Sequence, residues 1–188
     1  MGDTDEAVAR LRATAHPLRL RILSLLTGEA MSAAEVARAL DTTHANASYH
    51  LRVLHDAGKL VAEGEEKIRG GVAKRYRYDA TREVADRSSG IDDRIAFARA
   101  SAAEVERRLL GAAQGPATSS DLETWVPPET WQRAVDLLHE ASQLLHGAAL
   151  PAETPGTVHV SATHTAFTMT GGLTGEAARP NPAEEDLR

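Results

Sequence analysis

Thr43-His44-Ala45-Asn46-Ala47-Ser48-Tyr49-His50-Leu51-Arg52-Val53-Leu54-His55-Asp56-Ala57 is the stretch whose reading decides the fold. Ala47, Leu51 and Leu54 recur at intervals of four and three, one apolar stripe at helical period. Thr43 is a good N-cap, because its hydroxyl can accept an orphan amide of the first turn. Gly58 stands where a left-handed residue closes a helix. The other face carries His44, Asn46, Ser48, Tyr49 and Arg52, short donors and acceptors with one cation. A B-form major groove admits a helix and offers base edges and phosphates to such groups. The expectation is a reader helix. Thr43, Asn46 and Ser48 position or read; His44, Tyr49 and Arg52 reach bases or phosphates. The same spacing also describes an ordinary amphipathic helix with a solvated face, so the flanks decide.

Upstream, Asp5 to Ala15 reads as a short helix with Ala7, Val8 and Leu11 inside. His16-Pro17 punctuates, and proline suits a first helical position. From Pro17 a second helix places Leu18, Ile22, Leu25 and Leu26 on one stripe, leaves Arg19 and Arg21 off it, and stops at Gly28. Met31 to Leu40 reads as a third helix, with Ser32-Ala33-Ala34-Glu35 in the form of a capping box. Only Asp41-Thr42 separates it from Thr43, which makes a helix-turn-helix with the second helix as reader. Downstream the period changes to two. Leu60 to Glu65 and Val72 to Tyr78 read as strands joined by Arg69-Gly70-Gly71. From Lys67 to Arg77 this hairpin carries five cations and no acid: Lys67, Arg69, Lys74, Arg75 and Arg77. A cation-only hairpin beside a reader helix is expected to grip phosphates.

Ala15-His16-Pro17-Leu18-Arg19-Leu20-Arg21-Ile22-Leu23, then Ser48-Tyr49-His50-Leu51-Arg52-Val53-Leu54 ending in Ala57-Gly58, resemble the corresponding phrases of ArsR-type winged-helix repressors. The resemblance covers about residues 5–80. It implies a dimeric transcriptional repressor that releases DNA on a signal. It also brings His50 into the DNA-binding set, with packing at the helix–wing junction as the other role for that residue. The chain departs from metal-sensing members of the family. The helix before the reader has no cysteine, and the helix from Ile91 has Asp92 and Asp93 but no histidine.

Residues 80–90 read as a linker. Ile91 to Ala113 is the longest helix candidate, with Ile91, Ile95, Ala98, Ala102, Val105 and Leu109 in one thin stripe. A stripe of this kind beside a small domain wants a partner; the expected partner is a second copy, the alternative its own winged domain. Pro127-Pro128 opens another helix, with Trp131, Val135, Leu138 and Leu145 on one side. Val158 to Met169 reads as a short strand with a parity break near His164. Residues 171–188 read as disordered. The organisation is therefore a winged helix-turn-helix domain at 1–80, a helical dimerisation and sensing region at 81–170, and a tail. The fold class is mainly α with a small β component.

Composition bounds the function. The 188 residues contain no cysteine, which removes disulfides, thiolate metal sites and catalytic thiols. No apolar run approaches the roughly 18–20 residues that span a bilayer, and the acidic first residues lack the apolar region of a secretory signal. A cytoplasmic protein, away from membranes, is expected. The net charge of −6 is unevenly spread: residues 1–80 hold 12 Lys/Arg and 11 Asp/Glu, residues 81–188 hold 9 and 16. A nucleic-acid surface therefore belongs to the first half. No phosphate loop, Gly-x-Ser-x-Gly or metalloprotease pattern occurs, so neither an enzyme nor a cofactor is expected. Two further readings compete with the repressor. One is a winged-helix module that binds protein. The other is a metal response through His139, His146, His159 and His164, against which the spacing offers no His-x-x-x-His pair. Trp125, Trp131, Leu138, Leu145, Phe167 and Met169 could wall a pocket for an apolar small-molecule effector between the two long helices and the strand, or complete a dimer core.

Overall fold

The structure, a computed structural model, describes residues 11–68, 71–80 and 90–170, without the side chains of 65–68 and 71. A helical turn at 11–14 leads into α1 (Pro17–Gly28), β1 (Met31–Ser32), α2 (Ala33–Ala39) and α3 (His44–Asp56). Then come β2 (Leu60–Ile68), β3 (Gly71–Tyr78), α4 (Ile91–Leu109) and α5 (Pro128–Gly147). This is a winged helix-turn-helix domain with helical elements after it. The rest of the first helix, expected from Asp5, the turn residues Arg69 and Gly70, most of the 80–90 linker and the 171–188 tail lie outside the described residues.

Each boundary has a local cause. His16 caps α1, its Nδ1 accepting the Leu18 amide at 3.2 Å ahead of Pro17. Ser32 and Glu35 form the capping box of α2: the Ser32 amide donates to Glu35 Oε2 at 2.7 Å, and the Glu35 amide donates to Ser32 Oγ at 3.4 Å. The helix expected from Met31 therefore begins two residues later, and Met31 and Ser32 form a two-residue strand. The capping box needs an extended Ser32, and the extended pair adds to the sheet edge beside β3.

The turn between α2 and α3 uses Asp41 in the left-handed region, φ 50°. The Asp41 amide bonds to Arg38 O, and the Thr42 amide to Ala37 O. This is a Schellman closure. The end of α3 repeats it with Gly58 at φ 69°: the Gly58 amide bonds to His55 O, and the Lys59 amide to Leu54 O. Two stops of one kind fix both the angle into the reader helix and the angle out of it.

The sheet order is β1-β3-β2, antiparallel throughout. Met31 faces Tyr76, and Leu60 faces Tyr78. The hairpin runs further than its apolar alternation indicates, to Ile68 paired with Gly71. Between Ala62 and Gly64 the register shifts by one residue, and Gly64 adopts φ 144°. That bulge adds twist to the wing, at a backbone angle that suits glycine.

The core lies between α1, α2, α3 and the sheet. Ile22, Leu26, Val36, Leu51 and Leu54 are fully buried, each contributing about 1.5–3 kcal/mol by removal from water. Ala47, Leu60 and Tyr78 complete it. On α1 the buried set is Ile22, Leu23 and Leu26; Leu25, expected inside, is only half-buried.

The chain forms two compact units. The described part of the first lies within 11–112 and 141–163, so α4 belongs with the winged domain, and the boundary read at residue 80 separates elements that pack together. α4 lays Ala100, Ser101 and Glu104 inward. Arg12 Nε meets Asp93 Oδ1 at 2.8 Å, and Arg108 donates to Ser24 Oγ of α1 at 3.3 Å. A later segment also returns to this unit. Tyr78 meets His146 with ring centroids 5.7 Å apart, and a Cβ at Gly28 would lie 2.8 Å from the Leu150 carbonyl carbon.

The described part of the second unit comprises 113–140 and 164–170 and includes most of α5, which buries none of its residues. The strand expected at Val158–Met169 does not form. No described segment pairs with it, and a strand whose backbone groups find no neighbour has only water to bond.

Leu51 is almost wholly enclosed. We predict that Leu51→Ala lowers unfolding free energy by about 2–5 kcal/mol, read as a lower urea midpoint. A loss below about 1 kcal/mol would mean that α3 is not anchored by this stripe.

Candidate nucleic-acid interface

α3 is amphipathic with its polar side outward. His44, Tyr49 and Arg52 are exposed, and Ser48 is half-exposed beside them. Tyr49 is 55% exposed, high for an aromatic ring on a helix that otherwise anchors the core. Thr43 is the N-cap, accepting the Asn46 amide at 3.2 Å. Asn46 turns its side chain back, donating to Thr42 Oγ1 at 2.9 Å. Thr43 and Asn46 therefore fix the start of the helix, and the outward polar surface is His44, Ser48, Tyr49 and Arg52.

His50 is placed differently from its neighbours. It is 6% exposed and sits on the inner face. As a DNA contact it is corrected by helical arithmetic already present in the sequence: His50 lies three residues after Ala47 and four before Leu54, both core. Its ring packs on His16 of α1, centroids 4.9 Å apart, and edge-on against Tyr49 at 5.1 Å. Burial, then the charges of His16 and Arg19, push the His50 imidazole below its ordinary value.

The wing cations divide. Lys74 is exposed. Arg77 lies 3.5 Å from Glu63 across the hairpin, half exposed. Arg75 turns inward: one guanidinium nitrogen donates to both Glu35 oxygens, at 3.1 and 2.9 Å, and another donates to the Ala30 carbonyl. The expectation that Arg75 grips phosphate is corrected, since both of its terminal nitrogens are engaged in tying β3 to the start of α2. Arg69 and the side chain of Lys67 lie outside the described residues.

Three features lie beyond the sequence reading. Arg19, off the apolar stripe of α1, is nevertheless half-buried, with Nε enclosed and unpartnered among the described residues and another nitrogen donating to Arg12 O at 3.0 Å. His16 is more than punctuation, and a signal for this exists: a histidine before a helix-opening proline stands where a cap acceptor belongs. The Glu35–Arg75 pair spans 40 residues and has no local signal.

The expected dimer stripe faces away from the packed side of α4. Ile91, Ile95, Ala98, Ala102 and Leu109 are exposed and Val105 is half-exposed. The helix ends at Leu109 rather than continuing to Ala113. Of the residues expected to wall an effector pocket, Trp125, Leu145, Phe167 and Met169 are exposed, and Trp131 and Leu138 are half-exposed. His146 is engaged with Ser142 and Tyr78.

With this geometry in hand, comparison with known families is informative. A family model described as a helix-turn-helix domain matches residues 14–62, from just before α1 through α3 into β2. The match supports a DNA-binding regulator. A search of curated proteins finds no match. No helix among the described residues is long and apolar enough to cross a membrane.

The Glu35 carboxyl is held below its ordinary value of 4.5, first by the Ser32 amide, then by the Ser32 hydroxyl and Arg75. A carboxylate with a lowered folded value adds stability that is present above about 4.5 and is lost as pH falls through the folded value. We predict that the gap in urea midpoint between wild type and Glu35→Gln closes on acidification from about pH 5 to pH 3. An unchanged gap would remove the carboxylate from the account of how the wing is held.

Proposed function

We propose that the chain is a sequence-specific, DNA-binding transcriptional regulator, a homodimeric repressor of the ArsR type that acts in the cytoplasm and carries out no catalysis. The observation that carries this reading is the exposed polar face of α3. It is held by two Schellman closures, forms the second helix of the helix-turn-helix, and is followed by a wing that carries the exposed cation Lys74. His44, Ser48, Tyr49 and Arg52 enter the major groove; Lys74 and Arg77 approach the backbone beside it. The charge split favours this reading over a protein-binding module, because the cations gather on the half that holds the reader helix.

The second copy seats on α4. A helix that packs on α1 through one face and presents Ile91 and Leu109, each 66% exposed, on the other is built to be covered on both sides. A two-fold pair places the two reader helices on half-sites about 34–36 Å apart. The releasing signal is not a thiol reaction, since the chain has no cysteine; an apolar small molecule fits the exposed aromatic and aliphatic residues of the C-terminal half, once a partner covers them.

Three measurements test the reading. Log affinity for duplex DNA should fall with log salt, and Arg52→Ala or Lys74→Ala should each flatten the slope by about 0.9 for every phosphate that the variant no longer neutralises. Tyr49→Ala should lower the ratio of specific to non-specific affinity, by about 1–3 kcal/mol. Ile91→Asp with Ile95→Asp should give a monomer in sedimentation. A dimer that survives this double change places the seam elsewhere, and a protein that retains no DNA at low salt returns the fold to the protein-binding reading.

A further inference from the structure

At the root of the reader helix, two imidazoles and a guanidinium share a junction that contributes no polar group to the exposed face of α3. His16 opens α1, and its ring packs on that of His50 from α3 with centroids 4.9 Å apart. Each ring is fitted to its place only when neutral. His16 Nδ1 accepts the Leu18 amide, which requires a lone pair on that nitrogen. His50 Nδ1 is enclosed and meets no hydrogen-bond partner among the described residues. Protonation makes both nitrogens of a ring donors, so the His16 cap would be lost, and His50 would present an N–H with no oxygen to meet.

The surrounding charges oppose protonation. Facing His50 from α1 are His16 and Arg19. On its own helix it has Tyr49, edge-on at 5.1 Å. Arg19 also lines a groove with Arg12, Ala13, Val53, Asp56 and Ala57, where Asp56 is the one acid and stands on the last turn of α3. Burial is the first cause that lowers His16, with Arg19 second, and His50 is lowered by burial and then by His16 and Arg19. Both shifts have the same sign. A folded value below the unfolded 6.5 means that the junction is intact above that pH and loses stability as pH falls through 6.5 toward the folded values.

We propose that the His16–His50 pair is an acid-sensitive latch on the reader helix: proton uptake by the pair opens the α1–α3 junction, frees Tyr49 from the ring that backs it, and releases DNA. The proposal rests on the DNA-binding reading for its last step only. The latch couples to DNA by linkage: DNA binds the form with both rings neutral, so protons and DNA compete. The sign separates this device from ordinary electrostatics. Positive charge gained on a surface that faces phosphates would by itself tighten binding. The latch predicts weaker binding.

The test uses the full chain. Ring C–H resonances of His16 and His50 are followed by NMR from neutral to acid pH without DNA, together with amide exchange of α3. Affinity for a random-sequence duplex is measured at fixed salt over the same range. Both rings should titrate below 6.5, α3 exchange should accelerate as they do, and DNA affinity should fall by up to about tenfold per pH unit for each proton taken up. His50→Gln removes one titrating ring, and His16→Asn keeps a cap acceptor while removing the other; each should flatten the fall, and the double variant should abolish it. His16→Asn serves where His50→Gln fails to fold. Rings that titrate at or above 6.5, affinity that rises in acid, or an undiminished fall in the double variant would each overturn the latch. If wild type retains no DNA at neutral pH, the DNA reading fails alone, and the ring titration with α3 exchange still decides whether the junction opens.

Discussion

Glu35 has one carboxylate and four donated hydrogen bonds to accept. The Ser32 amide and hydroxyl take one side of it, and Arg75 of β3 reaches both oxygens. Through this group the first turn of α2, the short strand before it and the middle of the wing become one piece. A wing that hung only from the end of α3 would be a two-stranded ribbon, and such ribbons are marginal alone. The third strand and the Arg75 contact give it a fixed base. The orientation of the exposed cations relative to α3 follows from that base.

Much of the domain can be read from the chain. The stripe Ala47, Leu51 and Leu54, the capping box at Ser32, Thr43 at the start of α3 and Gly58 at its end are all local signals. Each depends on residues within about one turn of one another, which is the range over which sequence spacing carries physical meaning. The sheet edge at Met31 and Ser32 is hidden in the sequence because two residues have no period. Arg75 resembles a surface cation because it belongs to a basic run, and only the fold brings Glu35 to it. The strand expected at Val158–Met169 rests on β-branched composition and on a side-chain parity that already breaks near His164. Composition states a preference for a pleated surface, and without a neighbouring strand there is no such surface to join.

His50 is the instructive case at the interface. The family resemblance suggests a DNA contact, and the residue's spacing, between Ala47 and Leu54, says core. Spacing prevails because a helix that buries Ala47 and Leu54 has no freedom to expose the residue between them on the same face. The outward surface is thereby narrower than the motif implies. It is also more dependent on what lies behind it, since Tyr49 rests against a ring that must itself be accommodated within the domain.

Gly28 ends α1 in the sequence, and helix-ending glycines commonly serve a left-handed turn. Here the residue is itself helical, and the cap after it, Glu29, is extended at φ −155°. What requires glycine is the backbone at Leu150 and Pro151, which passes where a side chain would begin. Positions 28 and 150 are therefore bound to each other in evolutionary terms. A related chain that replaces Gly28 with a larger residue must also reroute or discard the returning segment, while one that lacks the segment is free to vary there. In an alignment of related chains, the residue at position 28 would serve as a marker of whether the stretch around Leu150 folds back on the winged domain.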